Sequence, residues 1–215
     1  MNYRDFFQKI IYRIINPLIL GMIRVGITPN IITTLGFLGN CVATAFFVWA
    51  ARCAGSPAEA ATAVGWGGFI IIASGLFDMM DGRLARLGNM SSTFGALWDS
   101  TLDRYSELVS LFGVTLYFFS LGDAGFWWAV TGFLAMTGSV MVSYVRARAE
   151  GLRLECKVGL MQRPERVVVL SVGTIVTGLT GSFWPTAAAV GLIALLANIT
   201  AFWRLAYCYK VLGGK

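Results

Sequence analysis

Four aspartates, Asp78, Asp81, Asp99 and Asp103, stand in a stretch that is otherwise apolar enough to lie in a bilayer. Ionised side chains in such a segment are costly and mark a functional site by default. Asp78 and Asp81 are three residues apart, and Asp99 and Asp103 four apart. On helices each pair therefore presents both carboxylates on one face, and two helix ends can aim all four at one spot. Like charges that close repel unless cations neutralise them. Oxygen-only ligands suit hard ions such as Mg²⁺, Mn²⁺ or Ca²⁺, and two ions about 3.5–4 Å apart form a clamp for phosphoryl chemistry. The competing role for the acids, as helix caps or ion-pair partners, is poorly supplied, because only Arg83, Arg86 and Arg104 lie nearby. Histidine is absent, so a general base must be a carboxylate, tyrosinate or lysine, and imidazole metal sites are excluded.

The spacing is similar to the signature of the CDP-alcohol phosphotransferase family, D-x-x-D-G-x-x-A-R-x8-G-x-x-x-D-x-x-x-D. Every fixed position is filled between Asp78 and Asp103. The resemblance implies a membrane enzyme of phospholipid biosynthesis that transfers a phosphatidyl group from a CDP-linked lipid, CDP-diacylglycerol, to an alcohol and releases CMP. It implies two divalent cations, Mg²⁺ or Mn²⁺, held by Asp78, Asp81, Asp99 and Asp103 and carrying the diphosphate. By the same analogy Gly82, Ala85 and Gly95 are small because the nucleotide packs against them, and Arg86 meets the diphosphate. Thr28-Pro29-Asn30 resembles the segment that family members carry near the nucleotide, although Asn30 suits helix capping equally well. Asp103, the last acid of the motif, is the implied base for the acceptor's proton.

Ser143-Tyr144-Val145-Arg146-Ala147-Arg148-Ala149-Glu150, followed by Arg163-Pro164-Glu165-Arg166, looks like the acceptor side of the prokaryotic phosphatidylinositol-phosphate synthase branch of that family. There a basic pocket holds the inositol phosphate, often with lysine where Arg146 stands, and arginine's planar fork suits phosphate oxygens. Arg146, Arg163, Arg166 and Arg204 are the expected acceptor-phosphate residues. Inositol phosphate is the favoured acceptor and glycerol 3-phosphate, which would make a phosphatidylglycerol-phosphate synthase, the runner-up. Ordinary positive charge at a membrane boundary is the competing explanation for these arginines. Glu107 continues the Asp99/Asp103 face and reads as an ion-pair or supporting group rather than a ligand. In a different class, a cation transporter would need acids through the membrane depth, whereas these cluster near one face.

The elements that must position these groups are membrane helices. Of 215 residues 57% are apolar and mean hydropathy is positive, which excludes an ordinary soluble domain and implies an all-α polytopic membrane protein. No signal peptide is read at the start. Cys41, Cys53, Cys156 and Cys208 lack C-x-x-C spacing and read as packing residues. The net charge of +6 follows the membrane boundaries, which favours anionic lipid over nucleic acid as the partner.

Residues 1–27 form the first segment, an interfacial amphipathic helix, with Tyr3, Phe6, Phe7, Ile10, Ile11, Ile14, Ile15 and Leu18 on its apolar face. Residues 28–215 form a membrane domain of six spans, near Asn30–Ala51, Thr62–Phe77, Gly95–Leu121, Phe126–Tyr144, Val167–Thr180 and Thr186–Tyr207. A surface turn is expected over Gly82–Phe94 and a basic loop over Arg146–Arg166. With both termini inside, only Arg52 among the basic residues falls in an outer loop, which puts the acids at the cytoplasmic face of a cell membrane. The small-residue face from Gly132 to Gly138 and the family resemblance suggest a homodimer.

Overall fold

Prolines set the starts of the helices. Pro29, Pro57, Pro164 and Pro185 each lie in the first turn of one, where the missing N–H is not needed and the fixed φ already suits a helix. The structure, a computed structural model, describes residues 15–53 and 55–213. Among these residues every regular element is helical: α1 (Ile15–Val25), α2 (Pro29–Arg52), α3 (Pro57–Leu87), α4 (Thr93–Ser120), α5 (Asp123–Gly151), α6 (Arg163–Thr180) and α7 (Trp184–Val211). The N-terminal amphipathic helix expected over residues 1–27 lies mostly outside the described residues.

Four helices, α2, α3, α5 and α7, are long and apolar enough to cross a membrane. Six were expected. The difference falls on α4, whose first turns carry Asp99, Asp103, Arg104 and Glu107. It also falls on α6, which has 18 residues, opens with Arg163, Glu165 and Arg166, and carries Ser171, Thr174 and Thr177.

The chain divides into two compact units. In the first, residues 15–39 and 73–103, α1 ends on Gly26 at φ 79°, with Gly26 N–H donating to the Ile23 carbonyl and Ile27 N–H to that of Met22. This left-handed stop satisfies two orphan carbonyls and turns the chain directly into α2. Ile19, Ile32, Met80 and Leu84 form the core of this unit, fastening α1 and α2 to the second half of α3. That packing explains why α3 continues to Leu87, where a surface turn was expected from Gly82. Leu84 is wholly buried, and Ala85, Arg86 and Leu87 favour helix. The turn is confined to residues 88–92, with Asn89 at φ 52°, and Ser92 caps α4 by accepting from Gly95 N–H at 2.9 Å.

In the second unit, residues 40–72 and 104–213, α7 packs against α5 and α6 around Phe47, Leu111, Val114, Phe118, Val190 and Ile193. Gly65 and Gly178 lie back to back: a Cβ on Gly65 would stand 2.8 Å from Gly178 Cα. Only glycine at both positions lets α3 and α6 approach so closely. Gly132 and Gly138, on the small-residue face read as suggesting a homodimer, face Thr115 and Asn198 within the unit. α5 runs to Gly151, so Arg146, Arg148 and Glu150 are helical where a loop was expected, and the connecting segment shortens to residues 152–162.

Candidate active site

The four motif acids all belong to the first unit. Asp78 and Asp81 lie in the later turns of α3, six residues or more before its end, and Asp99 and Asp103 lie in the early turns of α4. Asp78, Asp99 and Asp103 are half-buried and each offers a carboxylate oxygen, the three atoms lying within 4.8 Å of one another. Three oxygens converging from two helices suit one hard divalent cation.

Asp81 is placed differently. It is 4% exposed, and its Oδ2 accepts a hydrogen bond from Thr33 Oγ1 of α2 at 2.6 Å. A carboxylate this buried needs such a donor to keep its orientation. Thr33 was missed from the sequence, although it lies one helical turn beyond the Pro29-Asn30 pair that had been singled out.

Asp81 and Asp99 share the wall of a cavity of about 230 Å³ that is also lined by Asn30, Gly82, Ala85, Arg86 and Gly95, together with Thr33, Ser91 and Ser92. The five residues expected to meet the nucleotide thus surround one space, with two of the four acids. Gly82 is informative here. A Cβ there would meet nothing closer than Arg86 Nη1 at 3.8 Å, so packing within the protein does not require glycine. The small residue keeps the cavity open. Arg86 is exposed and has no hydrogen-bond partner among the described residues, so its charge is available to an anion in the cavity. Ser91 and Ser92, also missed from the sequence, stand on the turn whose position depends on where α3 ends.

The expected acceptor arginines belong to the second unit and differ among themselves. Arg146 is on α5 in an exposed pair with Glu150 at 2.9 Å. Arg163 is the first residue of α6. Arg166 is 2% exposed and grips Glu107 through Nε and Nη2, the latter at 2.9 Å, while its Nη1 donates to the Met161 carbonyl at 3.3 Å. Glu107 is therefore an ion-pair partner, as its position had suggested. Arg204 is also 2% exposed and donates from Nε to the Val158 carbonyl at 2.8 Å and from Nη1 to that of Val142 at 2.7 Å.

These two buried guanidinium groups, with the Thr200 hydroxyl accepting from Leu160 and Met161 N–H, hold the 152–162 segment against α6 and α7. Cys156 is buried in the same segment. Burial, then the neighbouring Cys208 thiol, pushes its thiol above the ordinary value, so it acts as packing sulfur rather than as a nucleophile.

A family model described as CDP-alcohol phosphatidyltransferase matches residues 26–207. The chain is 34% identical over 204 residues to the archaetidylinositol phosphate synthase of Methanothermobacter thermautotrophicus, covering 95% of this chain and 93% of that one. It is 30% identical over 207 residues to the phosphatidylinositol phosphate synthase of Mycobacteroides abscessus, covering 94% and 84%. Among solved structures it resembles the phosphatidylinositol phosphate synthase of Mycobacterium tuberculosis with CDP-DAG bound, at a TM-score of 0.79 and 27% identity over 92% of this chain and 94% of that one. The same enzyme in complex with manganese and citrate matches at 0.77 with 26% identity, covering 90% and 88%.

Proposed function

The chain belongs to the CDP-alcohol phosphatidyltransferase family, and we propose that it moves a phosphatidyl group from CDP-diacylglycerol to inositol phosphate and releases CMP. The observation that carries this reading is the convergence of Asp78, Asp99 and Asp103 within 4.8 Å, with Asp99 also on the wall of the cavity formed by Asn30, Gly82, Ala85, Arg86 and Gly95. The relatives support the acceptor. Their names share an inositol phosphate head group and differ in its lipid, archaetidyl in one and phosphatidyl in the other.

The donor set is all oxygen and matches Mg²⁺ or Mn²⁺, with Asp78, Asp81, Asp99 and Asp103 as the residues that would hold two ions. Such ions, when bound, neutralise a diphosphate and withdraw charge from phosphoryl oxygens. The chain's own residues do the rest. Asn30, Gly82, Ala85 and Gly95 form the nucleotide wall, and Arg86 meets the diphosphate. The acceptor hydroxyl oxygen bonds to the lipid-bearing β-phosphorus as the bond from that phosphorus to the CMP oxygen breaks. CMP leaves with the electron pair, and the hydroxyl proton passes to Asp103. Arg146, Arg163, Arg166 and Arg204 supply the positive charge for the acceptor's phosphate. Arg204 suits this because its two carbonyl bonds use Nε and Nη1 and not Nη2.

In the membrane we infer six spans, α4 and α6 joining the four long apolar helices, preceded by an interfacial segment over residues 1–27. The site then faces the cytoplasm, which the distribution of lysine and arginine supports. Homodimer formation rests on the family resemblance. The test of the reading is a CMP-release assay on purified protein with CDP-diacylglycerol and a panel of alcohols. Inositol phosphate should support release, and preference for glycerol 3-phosphate would move the chain to the other acceptor.

A further inference from the structure

Arg204 is aimed by two backbone carbonyls of unequal standing. The Val142 carbonyl, which accepts from Nη1 at 2.7 Å, belongs to α5, and the regular helix fixes it. The Val158 carbonyl, which accepts from Nε at 2.8 Å, belongs to the irregular 152–162 segment. No ladder of main-chain bonds holds it there, so its position depends on how that segment is seated on α7.

The seat is Thr200, one helical turn before Arg204 and wholly buried. Threonines elsewhere on these helices, such as Thr115, Thr131 and Thr137, donate to the carbonyl four residues back in their own helix. Thr200 instead reaches across to the segment, its Oγ1 accepting from Leu160 N–H at 3.2 Å and Met161 N–H at 3.3 Å. Two successive buried donors are thereby satisfied by one hydroxyl oxygen. Between them and Val158 lies Gly159, at φ 138°, where a Cβ would stand 2.4 Å from Thr200 Cγ2 and 3.6 Å from Arg204 Nε. Only glycine lets the backbone rest on the threonine methyl at that distance. The Cys156 thiol adds a weak bond to the Arg204 carbonyl at 4.0 Å. Residues 156–161 thus meet the Thr200–Arg204 turn of α7 repeatedly, and the Val158 carbonyl is delivered by those contacts.

Resting on the reading of Arg204 as an acceptor-phosphate residue, we propose that Thr200 is a positioning residue for the acceptor: by seating residues 158–161 on α7, with Gly159 permitting the approach, it fixes the Val158 carbonyl and through it the direction of the Arg204 guanidinium. A long arginine side chain otherwise samples many rotamers, and a phosphate must then meet the cost of ordering it. Held between Val142 and Val158, the guanidinium meets the phosphate with Nη2 already directed. Thr200 touches neither substrate in this account and acts through Arg204 alone.

The experiment measures kcat and the KM values for inositol phosphate and CDP-diacylglycerol by CMP release from the purified full chain in mixed micelles. Thr200→Val keeps the shape and removes the acceptor oxygen. It should raise the KM for inositol phosphate about fivefold, with kcat and the KM for the CDP-lipid unchanged. Thr200→Ser, which keeps the oxygen, should stay within about twofold of the unmutated protein. Gly159→Ala should raise the acceptor KM at least as far as Thr200→Val, and it carries the comparison if Thr200→Val does not elute as the unmutated protein does. In an Arg204→Ala background Thr200→Val should add nothing, because the group it positions is gone. An unchanged acceptor KM in Thr200→Val and Gly159→Ala, a parallel rise in the KM for the CDP-lipid, or a full fivefold effect without Arg204 would each overturn the proposal. An ordinary acceptor KM in Arg204→Ala itself would instead remove the underlying reading, an outcome distinct from the other three.

Discussion

Thr33 on α2 donates its hydroxyl hydrogen to Asp81 Oδ2 on α3 at 2.6 Å, with the two residues only 6% and 4% exposed. One acid of the motif is thus oriented by a neighbouring helix, while the other three face one another. Thr33→Val keeps the shape and removes the donor. A buried acceptor left short of a donor costs about 1–3 kcal/mol. The concentration of Mg²⁺ giving half-maximal CMP release should therefore rise about tenfold. An unchanged metal requirement would show that Asp81 is oriented by other contacts.

Asp103 sits within the acid cluster and is the proposed base, from its place as the last acid of the motif and the absence of histidine. Asp103→Asn should lower kcat by about 10²–10⁴ and leave CDP-lipid binding largely intact. If binding falls in parallel with turnover, Asp103 is principally a metal ligand.

The acceptor arginines can be separated by burial. Arg146 is in an exposed pair with Glu150, worth about 0.3–0.5 kcal/mol. Arg146→Ala should leave the melting temperature nearly unchanged and raise the KM for inositol phosphate about tenfold or more, with little effect on the CDP-lipid. Arg204→Ala should raise the same KM and also lower the melting temperature, because the Val142 and Val158 carbonyls lose their donor. Equal loss of affinity for both substrates in Arg146→Ala would return these arginines to orientation and head-group binding.

The Glu107–Arg166 pair joins α4 and α6 with side chains 7% and 1% exposed. Glu107→Ala leaves the guanidinium buried without its carboxylate and should cost about 3–5 kcal/mol, read by thermal unfolding in detergent. Glu107→Ala combined with Arg166→Leu should recover much of that loss, since no buried charge then remains. A double variant as unstable as the single one would place the effect in packing.

The spacing of Asp78, Asp81, Asp99 and Asp103 was readable because helical periodicity alone decides which face each occupies. Asn30, Gly82, Ala85, Arg86 and Gly95 were named from the family resemblance, and the structure places them around one cavity. Contacts set by tertiary packing could not be read this way. The Thr33–Asp81 bond spans 48 residues and the Glu107–Arg166 pair 59. Neither has a periodic signature. Helix ends were misjudged where a buried residue such as Leu84 outweighed a local glycine. Arg204 was named for its type and place, and only the fold shows that its guanidinium also donates to two backbone carbonyls.

The central claim is that clustered aspartates direct transfer of a phosphatidyl group to inositol phosphate. The direct measurement is CMP and lipid product from purified protein, CDP-diacylglycerol and inositol phosphate, with chelator and then with Mg²⁺ or Mn²⁺ restored. CMP and phosphatidylinositol phosphate should appear in equal amounts, vanish in chelator and return with the metal. Full turnover in excess chelator, or CMP release that does not depend on inositol phosphate, would contradict the account.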